Sequence, residues 1–134
     1  MSDDLKAGAV LFAQNLPRVA KFYAELVPMT ITLAGSDLIV LESKHFQLVV
    51  HLVPKRIAKA NPITSPPARR TNVAAKLIFP VASIAEARAK APSLGGELDP
   101  PNKEFEARGF RACDGHDPEG NVVQFREIAG RSER

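Results

Sequence analysis

Apolar residues recur along this chain at two spacings, every second position and every third or fourth, and the order in which the spacings follow one another occurs twice. Residues 8–14, Gly-Ala-Val-Leu-Phe-Ala-Gln, form an apolar run of strand length. Asn15 stands where an N-cap belongs, ahead of Leu16, Val19, Ala20, Tyr23 and Leu26 at helical spacing, with Phe22 widening that face. After Pro28, residues 29–33, 38–42 and 46–53 predict three strands, parted by Gly35-Ser36-Asp37 and Ser43-Lys44 as turns. The order is βαβββ. In the second half, residues 73–81 predict a strand, and Ser83-Ile84-Ala85-Glu86 is a capping box for a helix with Ile84, Ala87, Ala91 and Leu94 on one face. Gly95-Gly96 ends that helix, a weak strand is expected near Glu97 and Leu98, and residues 109–113 and 121–128 supply two more. Aligning Asn15 with Ser83 sets Leu16 on Ile84, Val19 on Ala87 and Leu11 on Phe79.

Between the two halves, residues 54–72 hold Pro54, Pro62, Pro66 and Pro67 among basic and small residues. Such a stretch cannot continue a sheet and predicts an extended connector or a loop over a pocket. The expected fold class is therefore α+β, with two βαβββ modules, residues 8–53 and 73–128, forming curved mixed sheets around a cavity. Together they make one domain over residues 8–128, and a chain of 134 residues is long enough to bury about two-thirds of its unfolded surface.

Charge and cysteine content narrow the partners. The net charge of +3 sits largely on Lys55, Arg56, Lys59, Arg69, Arg70, Arg131 and Arg134, in connector and tail, with no aromatic residues interleaved to stack on bases. No nucleic-acid partner is expected from that pattern. The acidic start, Met1-Ser2-Asp3-Asp4, lacks an apolar leader core, and no apolar run reaches membrane-spanning length, so a cytoplasmic protein with no membrane partner is expected. Cys113, the only cysteine, excludes an intrachain disulfide and a cysteine-only metal cage.

Two motifs carry a family resemblance. Leu11-Phe12-Ala13-Gln14-Asn15-Leu16 followed by Phe22-Tyr23 is one, and the turn Asp117-Pro118-Glu119-Gly120-Asn121 leading into Val122-Val123-Gln124-Phe125 is the other. In this order, over residues 8–128, they resemble the vicinal oxygen chelate superfamily, which includes glyoxalase I, bleomycin-resistance proteins, fosfomycin-resistance enzymes and extradiol dioxygenases. The resemblance implies a homodimer. It also implies, in metal-dependent members, His, Glu or Gln ligands at the start of the first strand and on the last strand of each module. The corresponding positions here are Gly8, either Val50 or the adjacent His51, Lys76, and Gln124. Glycine has no ligand atom and a lysine ammonium no lone pair, so His51 and Gln124 are the only donors left, and no metal or other cofactor is expected.

The function these residues suggest is binding of a small organic ligand, anionic where Lys76 meets it, in a metal-free cavity lined by Phe12, His51, Lys76, Ile78 and Gln124. His51 reads equally as a core imidazole bonded to a backbone carbonyl or as a polar group facing the cavity. Lys76 reads as a solvated strand lysine or as a fixed charge for a carboxylate or enolate. The alternative is a lyase, an isomerase or a dioxygenase-like enzyme with a weak or absent metal, in which His51 is the general base and Lys76 steadies an oxyanion. A third reading is a partner-binding subunit whose cavity is vestigial. Gly115 and Pro118 mark Cys113, Asp114 and His116 as turn residues. Arg108 and Arg111, flanking Gly109-Phe110, read as residues that meet an anion or as a coat on an exposed strand.

Overall fold

The structure, a computed structural model, describes residues 5–130. Two compact units make up the chain, Pro62 closing the first and Ile63 opening the second.

The first unit runs β1 (Ala7–Ala13), α1 (Leu16–Leu26), β2 (Thr30–Ala34), β3 (Leu38–Glu42), β4 (Phe46–Leu52) and α2 (Lys55–Ala60). Asn15 caps α1, its side-chain oxygen accepting the Arg18 N–H at 3.2 Å. The helix buries Leu16, Val19, Ala20, Phe22, Tyr23 and Leu26. Its partners are the alternate residues Ile39, Leu41, Leu48 and Val50, which period-2 geometry sends to one face of β3 and β4 and which are all buried. The sheet order is β1-β4-β3-β2, with β1 parallel to β4 and the other pairs antiparallel. Gly8 lies opposite Gln47, and a Cβ there would land on the Gln47 carbonyl oxygen, so β1 can lie at this distance only because position 8 has no side chain.

The second unit repeats this order with β5 (Leu77–Pro80), α3 (Ile84–Lys90), β6 (Glu97–Leu98), β7 (Phe105–Ala107), β8 (Phe110–His116) and β9 (Val122–Ile128). Its sheet follows β5-β9-β8-β6, with β5 parallel to β9 and with β6 and β7 pairing to different stretches of β8. The two units are thus βαβββ modules, the strand that corresponds to β2 being split into β6 and β7. Ile84 and Ala87 of α3, with Phe79, Val123 and Phe125 of the sheet, are buried in the core of this unit.

Four local expectations are corrected. Residues 55–60 form a helix rather than an extended connector, because Lys-Arg-Ile-Ala-Lys-Ala contains good helix formers between Pro54 and Pro62. β5 begins at Leu77, not at residue 73, because its partner β9 begins at Val122 and upstream residues have no ladder to join. β7 was not expected; Arg108 (φ 32°) and Gly109 (φ 85°) make a two-residue hairpin loop with two positive φ angles, which joins it to β8. β8 extends through Gly115 to His116, where a turn was expected. Gly115 serves close approach, since a Cβ would meet the Glu97 carbonyl oxygen at 2.6 Å. Among the described residues no helix is long and apolar enough to cross a membrane.

Candidate functional site

The sheet face of the first unit turned away from α1 carries Gly8, Val10 and Phe12 on β1, in register with Gln47, Val49 and His51 on β4. Val10 and Phe12 are 57% and 61% exposed, whereas Val50 is wholly buried, so His51 rather than Val50 is the residue displayed on this face. Its ring lies 5.9 Å from that of Phe12, centroid to centroid. Nδ1 is 2.9 Å from the Leu52 carbonyl oxygen. In the tautomer that donates from Nδ1, the Nε2 lone pair is left for a ligand. His51 therefore combines the two sequence readings, being bonded to a backbone carbonyl yet half-exposed on the open face.

In the second unit, register and alternation build a polar chain across the sheet. Asp114 on β8 lies opposite Gln124 on β9, and Gln124 lies opposite Ile78 on β5. Lys76, one residue before β5, places Nζ 2.8 Å from Asp114 Oδ2. Gln124 Nε2 donates to Asp114 Oδ1 at 3.1 Å, and Gln124 Oε1 accepts from Arg126 Nε at 2.7 Å. The Arg126 guanidinium sits 3.9 Å from the centroid of the Phe110 ring, a cation–π contact that fixes the far end of the chain.

Beside Lys76 and Asp114 opens a pocket of about 440 Å³, walled by the segment from Arg69 to Lys76 together with Asp114 and Val122. Three contacts hold that segment. The Arg70 N–H donates to the Gly120 carbonyl at 2.8 Å. Arg69 donates from Nε to His116 Nδ1 at 3.0 Å and pairs with Asp99 at 2.8 Å. Gly120 has φ 81°, and a Cβ there would strike the Ala68 carbonyl oxygen. The turn that presents Gly120 is itself organised by wholly buried Asp117, whose Oδ1 accepts the N–H groups of Glu119 (2.9 Å) and Asn121 (3.1 Å).

Electrostatics follow burial. Desolvation, and next the charge of Arg69, hold the His116 imidazole below its ordinary pKa, consistent with Nδ1 accepting a hydrogen bond. Burial pushes the Cys113 thiol up, outweighing the Arg88 guanidinium 3.5 Å from Sγ. Burial also acts to raise Glu104, but hydrogen bonds from Arg111 and Arg88 win and hold its carboxyl below the usual range. Arg111 is thus tied to Glu104 and Glu106 rather than merely coating a strand, and Arg108 sits 5.0 Å over Phe110.

Of the five residues expected to line one cavity, Lys76 walls the pocket, Gln124 touches its Asp114, Ile78 continues the same sheet face, and Phe12 and His51 lie together in the first unit. Asp114, Arg69 and Arg70 were missed. The alternation of Ala112, Asp114 and His116 against Val122, Gln124 and Arg126 carried the signal for Asp114. Nothing in the basic connector marked Arg69 and Arg70.

Comparison with solved structures settles the architecture. A glyoxalase-related enzyme from Fulvimarina pelagi superposes with a TM-score of 0.64 at 17% identity, over 94% of this chain and 88% of that one. A glyoxalase/bleomycin resistance protein/dioxygenase family enzyme from Burkholderia phytofirmans gives 0.63 at 15%, over 91% and 97%. Fosfomycin resistance protein FosX from Mesorhizobium loti gives 0.63 at 11%, over 100% and 98%. The chain has the fold of the vicinal oxygen chelate superfamily. No protein-family model and no curated protein matches it in sequence.

Within that fold, the residues at the superfamily's metal-ligand positions do not fit a divalent ion. Gly8 has no donor, and its seat against the Gln47 carbonyl leaves no room for one. Lys76 is an ammonium already paired with Asp114. Gln124 gives its amide N–H to Asp114 and its Oε1 to Arg126, so a cation there would face two positive groups. His51 alone keeps a free lone pair.

Proposed function

We propose that this protein binds a small organic anion in the pocket of its second unit and does so without a divalent metal. The observation that carries the reading is the pocket wall itself: Arg69, Arg70 and Lys76 stand against a single carboxylate, Asp114, with Val73 and Val122 as apolar surface. A pocket of this size suits a small organic molecule, and a few polar groups among apolar walls are what fix orientation in such sites. The Lys76–Asp114 pair offers one donor and one acceptor, a match for a hydroxyl or carbonyl on the ligand. The metal-free part of the reading rests on the donor chemistry of Gly8, Lys76 and Gln124. A lyase or isomerase with His51 as general base draws support from one feature, the Nε2 edge on the open sheet face. Cytoplasmic location and a homodimer belong to the same proposal. Exposed Val10 and Phe12 support the dimer as apolar surface available for burial.

Mapping backbone amide shifts on titration with a panel of aromatic and aliphatic carboxylates tests the site. Shifts concentrated at residues 69–76, Asp114 and Val122 are expected. Binding that perturbs only other residues, or no binding across the panel, contradicts the proposal.

A further inference from the structure

We infer that the pocket selects singly charged anions and that Arg70 sets this preference. The inference rests on the site reading just given and concerns the ligand's charge. Three cations stand in the wall, but two are compensated: Arg69 by Asp99, while it also donates to His116, and Lys76 by Asp114. The Arg70 side chain makes no hydrogen bond or ion pair among the described residues. Arg69 and Arg70 both wall the pocket, but only the Arg69 guanidinium is held, on His116 and Asp99. Arg70 is nonetheless held at its root, because its own N–H is fixed on the Gly120 carbonyl at 2.8 Å.

One uncompensated guanidinium matches one carboxylate, which its planar fork takes bidentately. A second anionic group would approach Asp114 or Asp99, or would have to draw Lys76 away and strand Asp114 on the Gln124 amide alone. A neutral ligand leaves Arg70 in water and gains nothing from it. The ligand class is therefore a monocarboxylate bearing a neutral group, a hydroxyl or an enol, that both donates and accepts beside the Lys76–Asp114 pair.

Calorimetric titration with 2-hydroxybenzoate, 2-hydroxybenzamide and 4-hydroxyisophthalate keeps the ring and the ortho hydroxyl while the charge goes from one to zero or two, the dianion by one further ring carboxylate. The wild-type protein is expected to bind the monoanion about tenfold more tightly than the amide, and more tightly than the dianion. Arg70→Gln, at an exposed position, closes the gap between monoanion and amide. Asp114→Asn keeps an oxygen for the Gln124 amide, uncovers Lys76 and moves the preference to the dianion. Tighter binding of the dianion by the wild type, or a monoanion preference that survives Arg70→Gln, overturns the inference while leaving the site standing. If none of the three binds, the site reading falls with it.

Discussion

At the scale of single residues, distance and burial rank the ion pairs differently. Lys76 and Asp114 are 2.8 Å apart, but their side chains keep 39% and 28% of their exposure, so water screens the pair and side-chain ordering offsets part of its attraction. Glu104 keeps only 8% and is held by both Arg88 and Arg111. A double-mutant cycle on Lys76→Met and Asp114→Asn is expected to give a coupling of about 0.2–1 kcal/mol in stability. Glu104→Gln is expected to cost about 1–3 kcal/mol, because the charge is lost and one of the two guanidinium groups then faces an amide N–H in place of a carboxylate oxygen. Chemical denaturation of these variants checks both. An equal or larger loss at the Lys76 pair would mean that the pocket wall is drier than its exposure implies. Lys76 and Gln124 were legible in the sequence because each interrupts an apolar strand pattern. Asp114 was not, because a glycine beside it and a proline four residues on imitate a turn, and only the approach of the β6 backbone shows that Gly115 serves a strand.

At the scale of elements, caps and alternation were readable, and pairing was not. Asn15 and Ser83 announce their helices through one side-chain oxygen each, a purely local signal. The start of β5 and the existence of β7 depend on which strand lies alongside, and that information sits far away in the chain. The Arg69 segment is an element of the same kind, an irregular stretch fastened to β8 through His116. Glu97, Asp99 and Asp117 also face that imidazole and favour its charged form, but burial and Arg69 prevail and keep it neutral in the fold. A histidine whose folded pKa is depressed contributes stability fully above its unfolded pKa of about 6.5, and that stability is lost as pH falls from there toward the lower folded value, since the unfolded chain takes up a proton the fold refuses. Denaturation midpoints are expected to drop between about pH 7.5 and about pH 5.5, and His116→Gln is expected to flatten that drop. Identical pH profiles for the two proteins would show that His116 does not govern it.

At the scale of the whole molecule, the repeated βαβββ order was visible because it is written in hydrophobic periodicity, which persists where sequence identity to solved structures of the same fold is only 11–20%. Site chemistry does not survive in the same way. One fold can carry unrelated chemistries, so function has to be argued from the residues that occupy the site. Here Gly8 offers no donor atom, Lys76 is a paired ammonium and the Gln124 amide is engaged on both sides. The proposed anion site draws its positive charge from Arg70, with Lys76 and Arg69 paired beside it. The direct measurement is calorimetric titration of 2-hydroxybenzoate into protein freed of metal by a chelator, and again after adding manganese, nickel or zinc. An unchanged dissociation constant is the predicted result. Binding that is lost on chelation and restored by one of those ions would contradict a metal-free anion site.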